Sequence, residues 1–231
     1  MTLYEGIIEH IAGDISGILY DSIIYLIVGD INIPIGDSLI IQHGTELKFS
    51  GNYNMNVYGQ LIAIGTVNSP ILFSSNQNNP QPGDWGFINF LNTTVISELS
   101  YSIIEYGRIY CDHSDPNITN NIVRNFYKRG IEAYYSSANI SDNKIYNFYD
   151  EMQWGTGILA QFSSSVIECN QIFNGTGRGI SLWGGNAVAK NNEIYNINME
   201  TGEGIGIQGG GPNSNDHIYN NSVQYSKQLI I

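Results

Sequence analysis

Charge is scarce in this chain, and positive charge is scarcer still. Only 13% of the 231 residues are Asp, Glu, Lys or Arg, and nine basic residues stand against 21 acidic ones, a formal net charge of -12. Such a chain repels phosphates and anionic headgroups, which excludes nucleic acid and an acidic membrane surface as partners; cations and neutral ligands are the easier guests. Long apolar runs are lacking too. The longest, Ile23 to Val28, is far too short to span a bilayer, so no membrane insertion is expected. The opening MTLYEGIIEH has no basic stretch and no long apolar core, so no signal peptide is visible. Only two cysteines occur. Cys111 falls at an inward position and Cys169 at a turn two coils on, roughly 10 Å away, beyond disulfide reach. Stretches long enough for a helix with a 3.6-residue apolar period are missing as well.

Repetition is what the chain has instead. GIEAYYSSANISDNKIYN at 130–147, GILAQFSSSVIECNQIFN at 157–174 and GISLWGGNAVAKNNEIYN at 179–196 are one pattern, and 204–225 repeats it with an insertion. An Asn recurs at Asn121, Asn143, Asn170, Asn192 and Asn221, with steps of 22, 27, 22 and 29. Two positions after it comes Val123, Ile145, Ile172, Ile194 or Val223; a middle segment carries Ile118, Ile140, Ile167, Ala189 and Ile218; a leading segment carries Ile109, Ile131, Ile158, Ile180 and Ile205. Three short alternating segments per repeat, separated by Gly, Asn and Ser, predict three strands per coil. A unit that cannot bury its apolar face alone buries it against its neighbours, so the chain winds as a parallel β-helix.

Upstream the pattern loosens but continues through Ile31/Ile33, Met55/Val57 and Ile88/Phe90 in the leading segment, with Leu39/Ile41, Leu61/Ala63 and Leu99 next, and Leu47/Phe49, Ile71/Phe73 and Ile104 last. The expected division is an amphipathic cap over 1–22 and a solenoid over 23–231 of about eight coils, about 40 Å long. Ser74 to Gly83 is a long polar loop. The end, YSKQLII at 225–231, is apolar and breaks off where another turn is due. It is expected to be covered by further chain of a longer protein or by a capping subunit.

The runs GDINIPIGDSLIIQHGTELKF, YGQLIAIGTVNSPILFSS, GDWGFINF and LSYSIIEYG resemble the opening coils of right-handed parallel β-helix repeat proteins of the pectin-lyase-like superfamily. The resemblance covers nearly the whole chain from about residue 23 and implies an all-β, right-handed parallel β-helix. It also implies a secreted or cell-surface location. The recurring Asn resembles that superfamily's internal asparagine ladder, at a bend where an Asn tolerates a left-handed backbone and bonds to the coils on either side. The leading segment is then the first strand, whose outer face lines the substrate groove in the superfamily's enzymes.

Period-2 alternation sends two columns outward on that face. One is Asn56, Asn89, Tyr110, Glu132, Leu159, Ser181, Gly206; the other is Tyr58, Leu91, Asp112, Tyr134, Gln161, Trp183, Gln208. Aromatic rings with amides between them suit a glycan, and the expected substrate-binding residues are Tyr110, Tyr134, Gln161, Trp183 and Gln208. Arg129 and Arg178 precede equivalent strand starts and join this set, because an Arg or Lys beside this strand serves the superfamily's lyases. Asp112 and Glu132 are the acid and base candidates. One coil and two positions apart, they are expected roughly 8 Å from each other, within the range for inverting glycoside hydrolysis. The superfamily's lyases also use Ca²⁺, but this face has no acidic cluster for it, so no cofactor or metal is expected. The hydrolase branch's paired Asp, Gly-His-Gly and Arg-Ile-Lys signatures are missing too.

Other signals read as structure. GIGIQG at 204–209 matches a dinucleotide-binding glycine pattern but has no following helix. Asp112-His113-Ser114-Asp115 reads as a turn, and the sequons at Asn92, Asn117, Asn139, Asn174 and Asn220 follow from abundant Asn. Two functions of different class remain: a non-catalytic module binding polysaccharide or serving as an adhesion or structural spacer, and a polysaccharide lyase or glycoside hydrolase acting in the first-strand groove.

Overall fold

The computed structural model describes residues 7–199, 202–224 and 227–230, and no helix occurs among them. Parallel strands wrap one core on three faces, the first and third joined through the long strand Ile23–Ile33, in a right-handed parallel β-helix. The first face is built from the C-terminal half of Ile23–Ile33, then Met55–Val57, Phe87–Leu91, Arg108–Asp112, Arg129–Tyr134, Thr156–Gln161, Arg178–Trp183 and Ile205–Gly209. The second begins at Gly17–Leu19 and Ser38–Ile41 and ends at His217–Tyr219, nine strands in all among the described residues. The third includes Glu46–Phe49, Ile71–Ser75, Ile122–Tyr127, Lys144–Tyr149, Gln171–Thr176 and Glu193–Met199.

Alternation explains why these segments are strands. Ile31, Ile33, Met55, Val57, Ile88, Phe90, Ile109, Ile131, Ile158 and Ile180 point inward on the first face and are fully buried. Leu39, Leu61, Leu99, Ile118, Ile140, Ile167 and Ala189 do the same on the second, and Leu47, Phe49, Phe73, Ile104, Val123, Ile145, Ile172 and Ile194 on the third. Each coil stacks its apolar set on the next, giving one continuous core. Larger rings enter it in places. Trp85 ends a polar loop that begins after Ser75, not at Ser74 as expected, because Ser74 and Ser75 are buried in the strand Ile71–Ser75; it stacks on Phe49 at 4.1 Å between ring centres and donates its indole N–H to the Glu105 carbonyl. Phe126 and Phe148 stack at 5.1 Å, and Phe148 fills the space where Gly175 carries no side chain.

The asparagine ladder is present in full. Oδ1 of Asn143 accepts from the backbone N–H and the side-chain amide of Asn121, at 2.9 and 3.1 Å, while the Asn143 amide donates to the Ile118 carbonyl at 2.9 Å and to Oδ1 of Asn170 at 3.0 Å. The same four bonds recur at Asn170 and Asn192, and Asn221 continues them. Every donor and acceptor of these buried amides is thus used. The left-handed position is not the ladder residue, as the sequence suggested, but the one before it: Asn120, Asp142, Cys169, Asn191 and Asn220, with φ from 54° to 59°. The bend is tightest one residue early, which frees the ladder Asn to adopt an inward rotamer.

Three boundaries differ from expectation. From Ile7 onward the region assigned to a cap is a coil of the solenoid: Ile7–Asp14 pairs in parallel with Ile23–Ile33, and Gly17–Leu19 with Ser38–Ile41. Its apolar alternation was concealed because end-strand residues face the edge and are exposed. Among the described residues nine coils therefore stand where about eight were expected. In the last coil the inward residue is Ile207, not Ile205; Ile207 pairs with Ile180 and Ile205 with Arg178. The insertion in that coil shifts the frame by two. Of the apolar end segment, Tyr225, Ser226 and Ile231 lie outside the described residues, whereas Lys227–Ile230 pairs with Ile205–Gly209.

Candidate binding groove on the first face

The outward side of the first face forms three adjoining clefts. The first, about 230 Å³, is lined by Arg129, Trp154, Thr156, Leu159, Gln161, Arg178, Ser181, Trp183 and Gln208. The second shares Arg129, Leu159 and Gln161 with it and adds Tyr110, Glu132 and Tyr134. The third shares Tyr110 and Glu132 and continues to Asn54, Phe87, Asn89 and Leu91. Shared walls make them one groove, running from the coil of Asn54 to the coil of Gln208. Eight of the nine expected residues line it, and Asp112 does not.

The register bears out both columns from Asn89 and Leu91 to Ser181 and Trp183 and corrects both in the last coil, where Gln208 and not Gly206 follows Ser181. Tyr110 lies opposite Asn89 and Glu132, Glu132 opposite Leu159, and Leu159 opposite Ser181. Tyr134, Gln161 and Trp183 occupy successive rungs. Gln208 was expected beside Trp183 but stands beside Ser181, because the frame shifts in the last coil. Its amide oxygen accepts from Nε of Arg178.

Arg178 is therefore held on two sides. Its guanidinium lies over the Trp154 ring at 4.6 Å while Nε is bound to Gln208. Burial, and secondarily the positive charge of Arg129, lower its pKa. A guanidinium stacked and tethered in this way keeps its remaining N–H groups in a fixed fork aimed into the cleft. Trp154 itself is 60% exposed. It arrives on the loop between Lys144–Tyr149 and Thr156–Gln161, in the coil that is 27 rather than 22 residues long, and sequence reasoning missed it. The signal was a Trp inside the insertion that lengthens this coil. Trp183 is partly covered: Gly211 of the following loop packs so closely that a Cβ there would sit 2.9 Å from the indole Cδ2.

The acid–base candidates are otherwise engaged. Nη1 of Arg129 donates to Oε2 of Glu132 at 2.8 Å. Asp112 meets Nδ1 of His113 at 2.6 Å, and so turns toward the corner of the coil. The two carboxylates sit on adjacent rungs, diagonally as expected, but each has its own partner. Burial, then Asp112 and Glu132, raise the Tyr110 pKa, so this phenol is a hydrogen-bond donor through the neutral range. Tyr134 lines the second cleft. Its ring stands edge-on to Tyr135 at 4.4 Å and to Phe162 at 6.0 Å, and a hydrogen bond to Tyr135 raises its pKa.

Residues 87–229, well over half of the chain, match the family described as right handed beta helix region. The chain belongs to this family. Comparison with curated proteins and with solved structures gave no match. Two outward features had gone unread: the bonding of Asn56 and Asn89, already placed in the first column, to Asn32, and an aromatic column on the third face. Asn32, Asn56 and Asn89 form an external ladder on the first face, with amide-to-oxygen distances of 3.0 and 2.9 Å, begun by Asp14. Tyr146, Phe173 and Tyr195 stack on the third face at 4.8 Å between successive rings. The aromatic that precedes Asn147, Asn174 and Asn196 in each repeat was the visible signal for the aromatic column.

Proposed function

We propose that the chain is a carbohydrate-binding β-helix module of a secreted or cell-surface protein, holding an extended glycan along its first face. The observation that supports this most is the first cleft. Two indole rings, Trp154 and Trp183, share it with hydroxyl and amide groups of Thr156, Ser181 and Gln161 and with the fixed guanidinium of Arg178, and no carboxylate lines it. Indoles stack on the apolar faces of sugars while amides, hydroxyls and guanidinium serve their hydroxyl groups. A groove that runs on over successive rungs suits a chain rather than a single sugar. The setting outside the cell rests on the family resemblance.

Weak binding that requires several sugar units is expected, since the groove is open and each contact is modest. The test is a glycan array followed by calorimetry on the hits. Trp154→Ala is expected to weaken binding roughly tenfold or more, the scale of a truncated aromatic anchor, with the melting temperature unchanged because the ring is mostly exposed. Trp183→Ala loses binding too, with a small drop in stability from its contact with Gly211. Absence of any retained glycan, or undiminished binding by Trp154→Ala, would sink the proposal.

A further inference from the structure

A separate cleft lies at the corner between the second and third faces, away from the groove. It encloses about 340 Å³, at the small end of the roughly 300–1,000 Å³ typical of small-molecule sites. Two outward columns form its floor. In one, Ile103 lies opposite Ile122, and Ile122 opposite Lys144. The other consists of Tyr101, Asn120 and Asp142, placed at the bend by left-handed backbones with φ of 47°, 59° and 57°. Val67 and Pro70, on the loop from Gln60–Ile64 to Ile71–Ser75, wall off the Tyr101 end. That loop is tied down. Thr66 and Ser69 exchange backbone hydrogen bonds at 3.1 and 3.2 Å, the Gly65 N–H donates to the Ser100 carbonyl at 2.9 Å, and the Ile71 N–H donates to the Tyr101 carbonyl at 3.3 Å. The cleft is therefore preformed.

Polarity divides this cleft along the solenoid axis. The walled end is apolar, built from Val67, Pro70, Ile103, Ile122 and the Tyr101 ring, whereas the far end carries one carboxylate, Asp142, and one ammonium, Lys144. The buried polar groups of the floor are already used by the ladder. The Ser102 N–H donates to Oδ1 of Asn121 at 2.9 Å, Ser102 Oγ donates to the Ser100 carbonyl at 3.2 Å, and the Asn121 amide serves the Leu99 carbonyl at 2.8 Å. The two charges are not used. On neighbouring rungs Arg124 pairs with Glu105 and Lys190 with Glu168, but neither Asp142 nor Lys144 is in an ion pair among the described residues. They line one cleft, flank the same ladder residue Asn143, and do not meet each other. Opposite charges placed side by side in this way fit a guest that carries both.

We infer that this cleft binds a free apolar α-amino acid. The α-carboxylate pairs with Lys144, the α-ammonium pairs with Asp142, and the side chain runs back over Ile122 and Ile103 toward the wall at Val67. Those two rungs span about 10 Å at the strand spacing, room for a side chain as long as that of phenylalanine. The Asn120 amide, beside Asp142, adds a hydrogen-bonding group at the polar end. Charge decides among small molecules. The net charge of -12 repels a lone anion, and a lone cation leaves Lys144 unmatched. A zwitterion is neutral overall and gives each group a charge-assisted hydrogen bond. The apolar floor in turn disfavours a zwitterion without a side chain, since nothing then displaces water from the isoleucines.

An NMR titration of the full chain with L-phenylalanine, L-leucine, glycine, phenethylamine and hydrocinnamate tests this. The ligand is small and the cleft open, so phenylalanine is expected to bind with a dissociation constant of roughly 0.1–5 mM, with saturable shifts at the amides of Ile103, Ile122 and Lys144 and similar behaviour from leucine. Glycine, phenethylamine and hydrocinnamate lack the side chain, the carboxylate and the ammonium in turn, and each is expected to bind about fivefold more weakly or worse. Asp142→Asn and Lys144→Gln each remove one charge from an exposed side chain. Both variants fold, since Asn suits the left-handed position and neither side chain enters the core, and each weakens phenylalanine binding by about the same factor. The inference is overturned if neither amino acid gives a saturable shift in the millimolar range. It is also overturned if hydrocinnamate or phenethylamine binds as well as phenylalanine, or if either variant binds phenylalanine as the wild type does.

Discussion

A single amide can hold three coils together. Asn170 accepts two hydrogen bonds from Asn143, donates one to the Ile140 carbonyl and another to Oδ1 of Asn192, and is fully buried. Removing it takes the acceptor from the backbone N–H and the side-chain amide of Asn143 and the side-chain donor from the Ile140 carbonyl, while Oδ1 of Asn192 keeps only the Asn170 backbone N–H. Asn170→Ala is accordingly expected to cost about 1–3 kcal/mol for each group left unsatisfied that water cannot reach, read as a lowered urea midpoint with unchanged slope. Asn170→Asp keeps the acceptor for Asn143 but sets a buried carboxylate against the Ile140 carbonyl and Oδ1 of Asn192 in place of the amide donor, and is expected to destabilise as well. An unchanged midpoint in both would mean that the ladder contributes nothing to stability. This residue was legible in the sequence because its spacing survives insertions of several residues, which only a position fixed on both sides does.

At the scale of one element, the corner after the first face is the least expected part of the fold. Asn92, His113, Tyr135, Phe162 and Gly184 occupy equivalent places there, and all have left-handed backbones, with φ from 46° to 63°. A left-handed aromatic residue is strained, by about 1–3 kcal/mol. Stacking accounts for its persistence: His113 lies on Tyr135 at 5.0 Å and Tyr135 on Phe162 at 5.2 Å. The ring contacts and the strain can be separated. Both Phe162→Ala and Phe162→Gly lose the ring, but only glycine relieves the backbone, so Phe162→Gly is expected to be the more stable of the two by about 1 kcal/mol. In an ordinary strand the order is the reverse, and finding that order in thermal melts would refute the strain. Sequence reading reached the fold here but not the corner. Alternation identifies which side chains point inward, whereas the left-handed turn is occupied by whichever residue stacks best, with no common residue type. The same limit hid Trp154, whose place depends on where a loop folds back, and it displaced Gln208, because an insertion of unknown shape precedes its rung. Ile7–Asp14 escaped notice for a different reason, since an end strand has nothing to bury against on one side.

For the molecule as a whole, contacts run between neighbouring coils, so stability is a sum of similar steps rather than one shared nucleus. Amide hydrogen exchange is expected to follow position along the axis. Protection is greatest at the central ladder amides Asn121, Asn143 and Asn170, and least in Ile7–Asp14, which pairs on one side only. Uniform protection from end to end would show instead that the coils open together. The ladder has a further consequence when the ends of the solenoid are pulled apart. Its hydrogen bonds, like those of the three faces, lie along the axis, so tension loads them one coil at a time, as in the opening of a zip. Each rupture frees a length of chain set by the repeat: the 22-residue coils give short releases, and the 27- and 29-residue coils give long ones. Under force the protein would yield as a sequence of unequal slips, a tether that lengthens by turns and recoils coil by coil when the load falls.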